Sequence, residues 1–230
     1  LKGHRSPMLR ELRGVDMQLQ YNKETNLRLA GERINGLIVA PGETFSFWHT
    51  VGRTTAKKGY LSGLTIGAGR LGAETGGGLC QLANLIHWMV LNSPLTVTEL
   101  HHHTDALFPD SGRRVPFGTG TSIFYKNVDY RFRNDTDTSV QLLIWQDGHD
   151  LCGELRAERR FPYRWRIVEE DHHFQREADG NYYRCSRIYR VKYDCEGTEL
   201  DRELLLVNHS KVMYDPALIP REQLREETLC

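Results

Sequence analysis

The sequence is poor in the features that announce a simple function class. It carries no surplus charge: 30 Lys and Arg offset 30 Asp and Glu. No overall field therefore favours nucleic acid, an anionic membrane surface or a strongly acidic substrate, and a charged partner has to meet a local patch. No apolar run approaches the roughly 18 residues of a membrane span. The start, Leu1-Lys2-Gly3-His4-Arg5, lacks the apolar stretch of a signal peptide. A chain that begins at Leu1 is expected in the cytoplasm, whereas a trimmed export segment would place it outside the membrane. Only five cysteines are present, none in a C-x-x-C pair, so neither a disulfide framework nor a zinc ribbon is indicated.

What is present suits a folded protein. The hydrophobic share of 39% over 230 residues allows one substantial core, or a main domain with a small one. Leu27, Ala30, Ile34, Leu37 and Ile38 recur at helical spacing, which predicts a helix near 24–38, broken by Pro41-Gly42-Glu43. Thr44 to Trp48 reads as a short strand or buried turn, and the glycines at 59, 63, 67, 69 and 72 as a loop-rich stretch. A second helix is marked by Leu79, Leu82, Leu85, Ile86, Met89 and Val90 and ends at Asn92-Ser93-Pro94. Strand-like runs follow at 95–100, 121–125, 128–133 and 140–145, and alternation returns between about 155 and 215. The expected fold is α+β: two main helices packed on a largely antiparallel β-sheet, with a small β-rich C-terminal extension. The expected organisation is an N-terminal segment (1–21), a core domain (22–153), the extension (154–220) and a tail (221–230).

The chemistry concentrates at Gly76-Gly77-Gly78-Leu79-Cys80-Gln81. Glycines directly before a helix allow positive φ and close backbone approach, and they leave amides free at the helix start. A thiol in that first turn gains thiolate character, and the same amides can hold an oxyanion. Without a Gly-Lys-Ser/Thr sequence, the glycines do not make a nucleotide cradle. The plainer alternative is that Cys80 packs as a small hydrophobe. A base is offered by the run His101-His102-His103, of which His101 and His103 share one strand face. His87 lies about 10 Å along the helix from Cys80, too far for direct transfer. Glu99 and Asp105 flank the histidines and can orient an imidazole. The cysteine and histidines lack paired ligand spacing, so no metal and no cofactor is expected.

The motifs resemble the VanW family, over roughly residues 20–215. They are Asn26-Leu27, Asn35-Gly36, Pro41-Gly42-Glu43-Thr44-Phe45-Ser46-Phe47, Lys58-Gly59-Tyr60, the segment from Gly76 to Gln81, Glu99 with His103, and Asp129 before Arg133-Asn134. The resemblance implies a role in glycopeptide (vancomycin) resistance or cell-wall metabolism. It also implies cysteine acyl transfer of the L,D-transpeptidase type on a peptidoglycan stem peptide. Cys80 would be the nucleophile and His103 the base, with Glu99 beside it. Gln81 and the amides of Gly76, Gly77 and Gly78 would hold the acyl oxygen, and His101 would line the substrate site. Where the family carries an acidic residue after the histidine, this chain has Gly120. The alternative is a non-catalytic accessory or binding module for peptidoglycan precursors or resistance proteins. No nucleic acid partner and no membrane span are expected.

Overall fold

The computed structural model describes residues 1–9, 16–67, 70–102, 105–107, 109 and 115–225. In chain order the elements are β1 (Lys2–Pro7), α1 (Met17–Ile34), β2 (Ile38–Val39), β3 (Thr44–Ser46), α2 (Phe47–Val51), β4 (Ser62–Gly67), β5 (Arg70–Thr75) and α3 (Cys80–Leu91). They continue as β6 (Thr96–Glu99), β7 (Asp105–Ala106), β8 (Arg131–Arg133), β9 (Val140–Asp147), β10 (Asp150–Ala157), β11 (Arg164–Arg176), β12 (Tyr182–Tyr193), β13 (Glu199–Val212) and β14 (Leu224–Arg225).

The expectation of two helices packed on one antiparallel sheet is overturned. The described residues are β-rich, with 42% strand against 21% helical, and their strands form four separate small sheets. Their orders are β1-β10-β9-β2, β14-β11-β12-β13-β7, β3-β8-β6 and the hairpin β4-β5. Periodicity reports which side chains turn inward but not which strands share hydrogen bonds. The glycine-rich stretch after Tyr60 is the β4-β5 hairpin rather than a loop. Residues 121–125, expected as a strand, contribute only a single bridge between Phe124 and Val128. The C-terminal part is no small appendage, since β11, β12 and β13 run for 13, 12 and 14 residues.

Two compact units result, residues 1–101 with 120–162 and residues 102–119 with 163–230. In the first unit α1 starts where the Asp16 carboxylate accepts from the Gln18 N–H at 2.9 Å, an N-cap that the apolar spacing did not reveal. Its buried residues Leu27, Ala30 and Ile34 meet Leu82, Leu85, Ile86 and Met89 of α3 and Leu142, Ile144, Leu151 and Leu155 of β9 and β10 in one core. Each of these leucine, isoleucine and methionine side chains stabilises the fold by about 1.5–3 kcal/mol when fully buried. In the second unit the apolar cluster is small, built from Phe174, Val212 and Ile219.

Candidate functional site

The glycine triplet is fixed by what lies against it. A Cβ at Gly77 would fall on the backbone carbonyl of Gly63 in β4, and one at Gly63 would come within 2.5 Å of the Gly77 oxygen. At Gly78, where φ is +93°, a Cβ would enter the side chain of Lys23 on α1. At Gly76, where φ is +83°, it would lie 2.5 Å from Thr54. No other residue tolerates both the positive φ and the contact. The fully buried Asn26 of α1 ties the arrangement together. Its Nδ2 donates to the carbonyls of Gly77 (2.9 Å) and Leu61 (3.0 Å), and its Oδ1 accepts from the Leu61 N–H (2.8 Å). The turn is thus a close crossing of two backbones, those of Gly77 and Gly63, held by the Lys23 and Asn26 side chains of α1.

Cys80 opens α3, but its thiol points inward. It is half-buried against the core and donates to the Ile123 carbonyl at 3.8 Å. Burial pushes its pKa above the ordinary thiol value, outweighing the backbone hydrogen bonds that oppose the shift. The thiolate expected from the helix start is therefore disfavoured, because desolvation exceeds what a few amides return. Gln81 reaches the other way. Its Nε2 donates to Ser6 Oγ and the Pro7 carbonyl, both at 2.8 Å, which ties α3 to β1.

The segment after Gly120 brings Cys80 and His101 into one neighbourhood. Thr121 N–H donates to Asn84 Oδ1 on α3 (2.6 Å), Ser122 N–H donates to the His101 carbonyl (2.7 Å), and Ile123 accepts from Cys80. Glu99, at the end of β6, accepts from the Asp129 N–H (3.1 Å), and its carboxylate pairs with His101 Nε2 (3.2 Å) and Arg131 Nε (3.3 Å). Asp129 itself accepts from Ser46 Oγ (2.6 Å), the amides of Trp48 (3.0 Å) and Tyr130 (2.9 Å), and Arg131 Nε (2.9 Å). Burial raises its pKa, but the hydrogen bonds from Ser46, Arg131, Trp48 and Tyr130 outweigh that and hold it below the usual carboxylate range. His103 lies outside the described residues, as does the side chain of Asp105. His87 is buried in α3, 3.2 Å from the Tyr130 hydroxyl, in the core rather than at a site. Among the described residues no three His, Cys, Asp or Glu side chains are placed to hold a metal ion.

Residues that the sequence marked only as family motifs or turn glycines, with no chemical role, or did not mark, as with Lys23, hold the site. Asn26, Lys23 and Gly63 form the bed of the triplet. Asn35 Oδ1 accepts from the Ile144 N–H (3.0 Å), and Asn134 Nδ2 donates to the carbonyls of Val39 and Thr138 (2.9 Å each). For Asn35 and Asn134 the available signal was an asparagine beside a glycine or at a turn, a residue suited to bridging backbone groups that no strand ladder reaches, whereas Asn26 lies within α1 and was marked only by its motif.

Comparison with known proteins gives a consistent result. The family model described as VanW like protein matches residues 22–156. The chain is 34% identical over 202 residues to the vancomycin B-type resistance protein VanW of Enterococcus faecalis, an alignment covering 87% of this chain and 73% of that protein. It is 32% identical over 119 residues to the uncharacterized protein YoaR of Bacillus subtilis, covering 52% of this chain and 38% of the relative. No solved structure matches.

Proposed function

Because the chain belongs to the VanW family, we propose that it serves glycopeptide resistance or cell-wall metabolism as a non-catalytic module that binds a peptidoglycan stem peptide or precursor. The observation that carries this reading over acyl transfer is the state of Cys80. A nucleophilic thiol needs to be ionised and to face its substrate. This one is turned to the Ile123 carbonyl, with burial opposing ionisation. Gln81, the side chain that would assist an oxyanion, is occupied with β1.

Cysteine-dependent acyl transfer is the second reading. It is favoured by the amides of Gly78 and Leu79, from which no carbonyl among the described residues accepts. Intact-mass spectrometry with a carbapenem acylator and with iodoacetamide separates the two. A binding module leaves Cys80 unmodified by the carbapenem while the exposed Cys195 alkylates first, and Cys80→Ser retains stem-peptide binding. Stoichiometric acylation of Cys80 would overturn the binding reading in favour of transfer.

A further inference from the structure

In the second unit one face of the long sheet is polar where it is buried. Arg184, Ser186 and Ile188 of β12 alternate onto this face, and the register carries it across the neighbouring strands. Asn208 of β13 stands directly opposite Ser186, and Glu169 of β11 opposite Ile188. Ser186 and Asn208 are only 3% and 5% exposed. Ser186 Oγ, Asn208 Nδ2 and Glu169 Oε1 are buried, and no group of the protein hydrogen-bonds to them. Asn208 Oδ1 already accepts from Ser210 Oγ (2.7 Å), so turning the amide over would only exchange an unpaired N–H for an unpaired oxygen. A buried polar atom without a partner forfeits its solvation, and native folds hold few of them. Two that face each other across a strand pair, with a third on the same face, mark a place where something else supplies the bonds.

The cover over this face limits the size of the occupant. Gly118, with φ +84°, lies so close above β13 that a Cβ would come within 2.7 Å of Leu206 Cδ2 and 3.5 Å of Asn208 Oδ1. Beside it the Arg184 guanidinium packs against the rings of Phe117 (4.5 Å) and Phe174 (5.6 Å). A cover this close admits a solvent-sized molecule and not a peptide or a sugar. The chemistry narrows the choice further. Asn208 Nδ2 donates, a carboxylate oxygen of Glu169 accepts, and the Ser186 hydroxyl does both. An anion would be repelled by Glu169 and a bare cation by the Asn208 N–H groups, whereas water both donates and accepts.

We infer that one or two ordered waters are bound in this seam, bridging Ser186 Oγ, Asn208 Nδ2 and Glu169 Oε1 and completing the hydrogen bonding of the covered face. Buried waters of this kind make about three hydrogen bonds each and are costly to remove. The apolar cluster of this unit is small, so the bridged seam carries a correspondingly larger share of its cohesion. The test records water-selective NOE and ROE spectra of the isotope-labelled intact chain and the thermal unfolding of Ser186→Ala. Cross-peaks of dipolar sign are expected between water and the side-chain amide protons of Asn208. Ser186→Ala should lower the melting temperature by about 1–6 °C, the worth of one hydrogen bond in a chain of this size. In a dry seam the serine hydroxyl is an orphan, and its removal leaves the melting temperature unchanged or raises it. Either that result or the absence of water cross-peaks would overturn the inference, and the wild-type spectrum decides where the variant fails to fold. An organic molecule retained by the chain in native mass spectrometry and giving cross-peaks to the Asn208 amide would overturn water as the occupant.

Discussion

An alanine at position 77 would set its Cβ on the carbonyl of Gly63, one backbone against another, with no flexible side chain to give way. The hairpin β4-β5 or the entry to α3 has to shift. Overpacking of this kind costs about 1–3 kcal/mol. The displacement also strains the Asn26 Nδ2 bond to the Gly77 carbonyl, now 2.9 Å, worth about 0.5–1.5 kcal/mol. The sum is about 1.5–4.5 kcal/mol, which at about 2–4 °C per kcal/mol for a chain of this size lowers the melting temperature by roughly 3–18 °C. Gly3→Ala is the control, because its Cβ would meet only the Gly153 oxygen at an ordinary 3.7 Å, and it should change the melting temperature by less than about 2 °C. Thermal unfolding by circular dichroism, with hydrogen exchange at the β4-β5 amides, reads both. A Gly77→Ala protein that melts with the wild type would refute the packing account and return the triplet to an oxyanion-holding role.

Further expectations follow from the same contacts. Asn26→Ala removes three hydrogen bonds from a fully buried residue and leaves the Leu61 N–H and the Gly77 carbonyl unpaired, while the Leu61 carbonyl keeps the Gly76 N–H. It should cost about 2–4 kcal/mol in denaturant unfolding, and a loss under 1 kcal/mol would contradict the role given to it. The depressed pKa of Asp129 makes its stabilisation present above the unfolded value of about 3.9 and lost as pH falls through the folded value. The gap in unfolding midpoint between wild type and Asp129→Asn should therefore hold from neutral pH to about 4 and close below it; a gap that widens on acidification would reverse the sign. Cys80 should alkylate slowly at neutral pH, its rate rising only above the ordinary thiol range near 8.5, and a rapid reaction at pH 7 would show that the thiol is neither buried nor protonated.

The sequence by itself determined the family, since the ordered motifs from Asn26-Leu27 to Arg133-Asn134 are those of VanW proteins, as the family match confirms. It also determined the helix from Cys80 to Leu91 and its buried face, because 3.6-residue periodicity is written in the local order of side chains. Tertiary structure alone decided how the strands divide into four sheets, since pairing joins residues such as Lys2 and Leu155 whose separation no local pattern encodes. It decided the character of the glycine triplet as well. In sequence, three glycines before a cysteine read as amides opened toward a substrate. In the fold, Gly63, Lys23 and Asn26 arrive from elsewhere in the chain and occupy the space the missing side chains leave. The thiol followed the same rule: a helix start favours its ionisation, but the amount of water left around the sulfur depends on which distant residues pack there, and Ile123 is one of them.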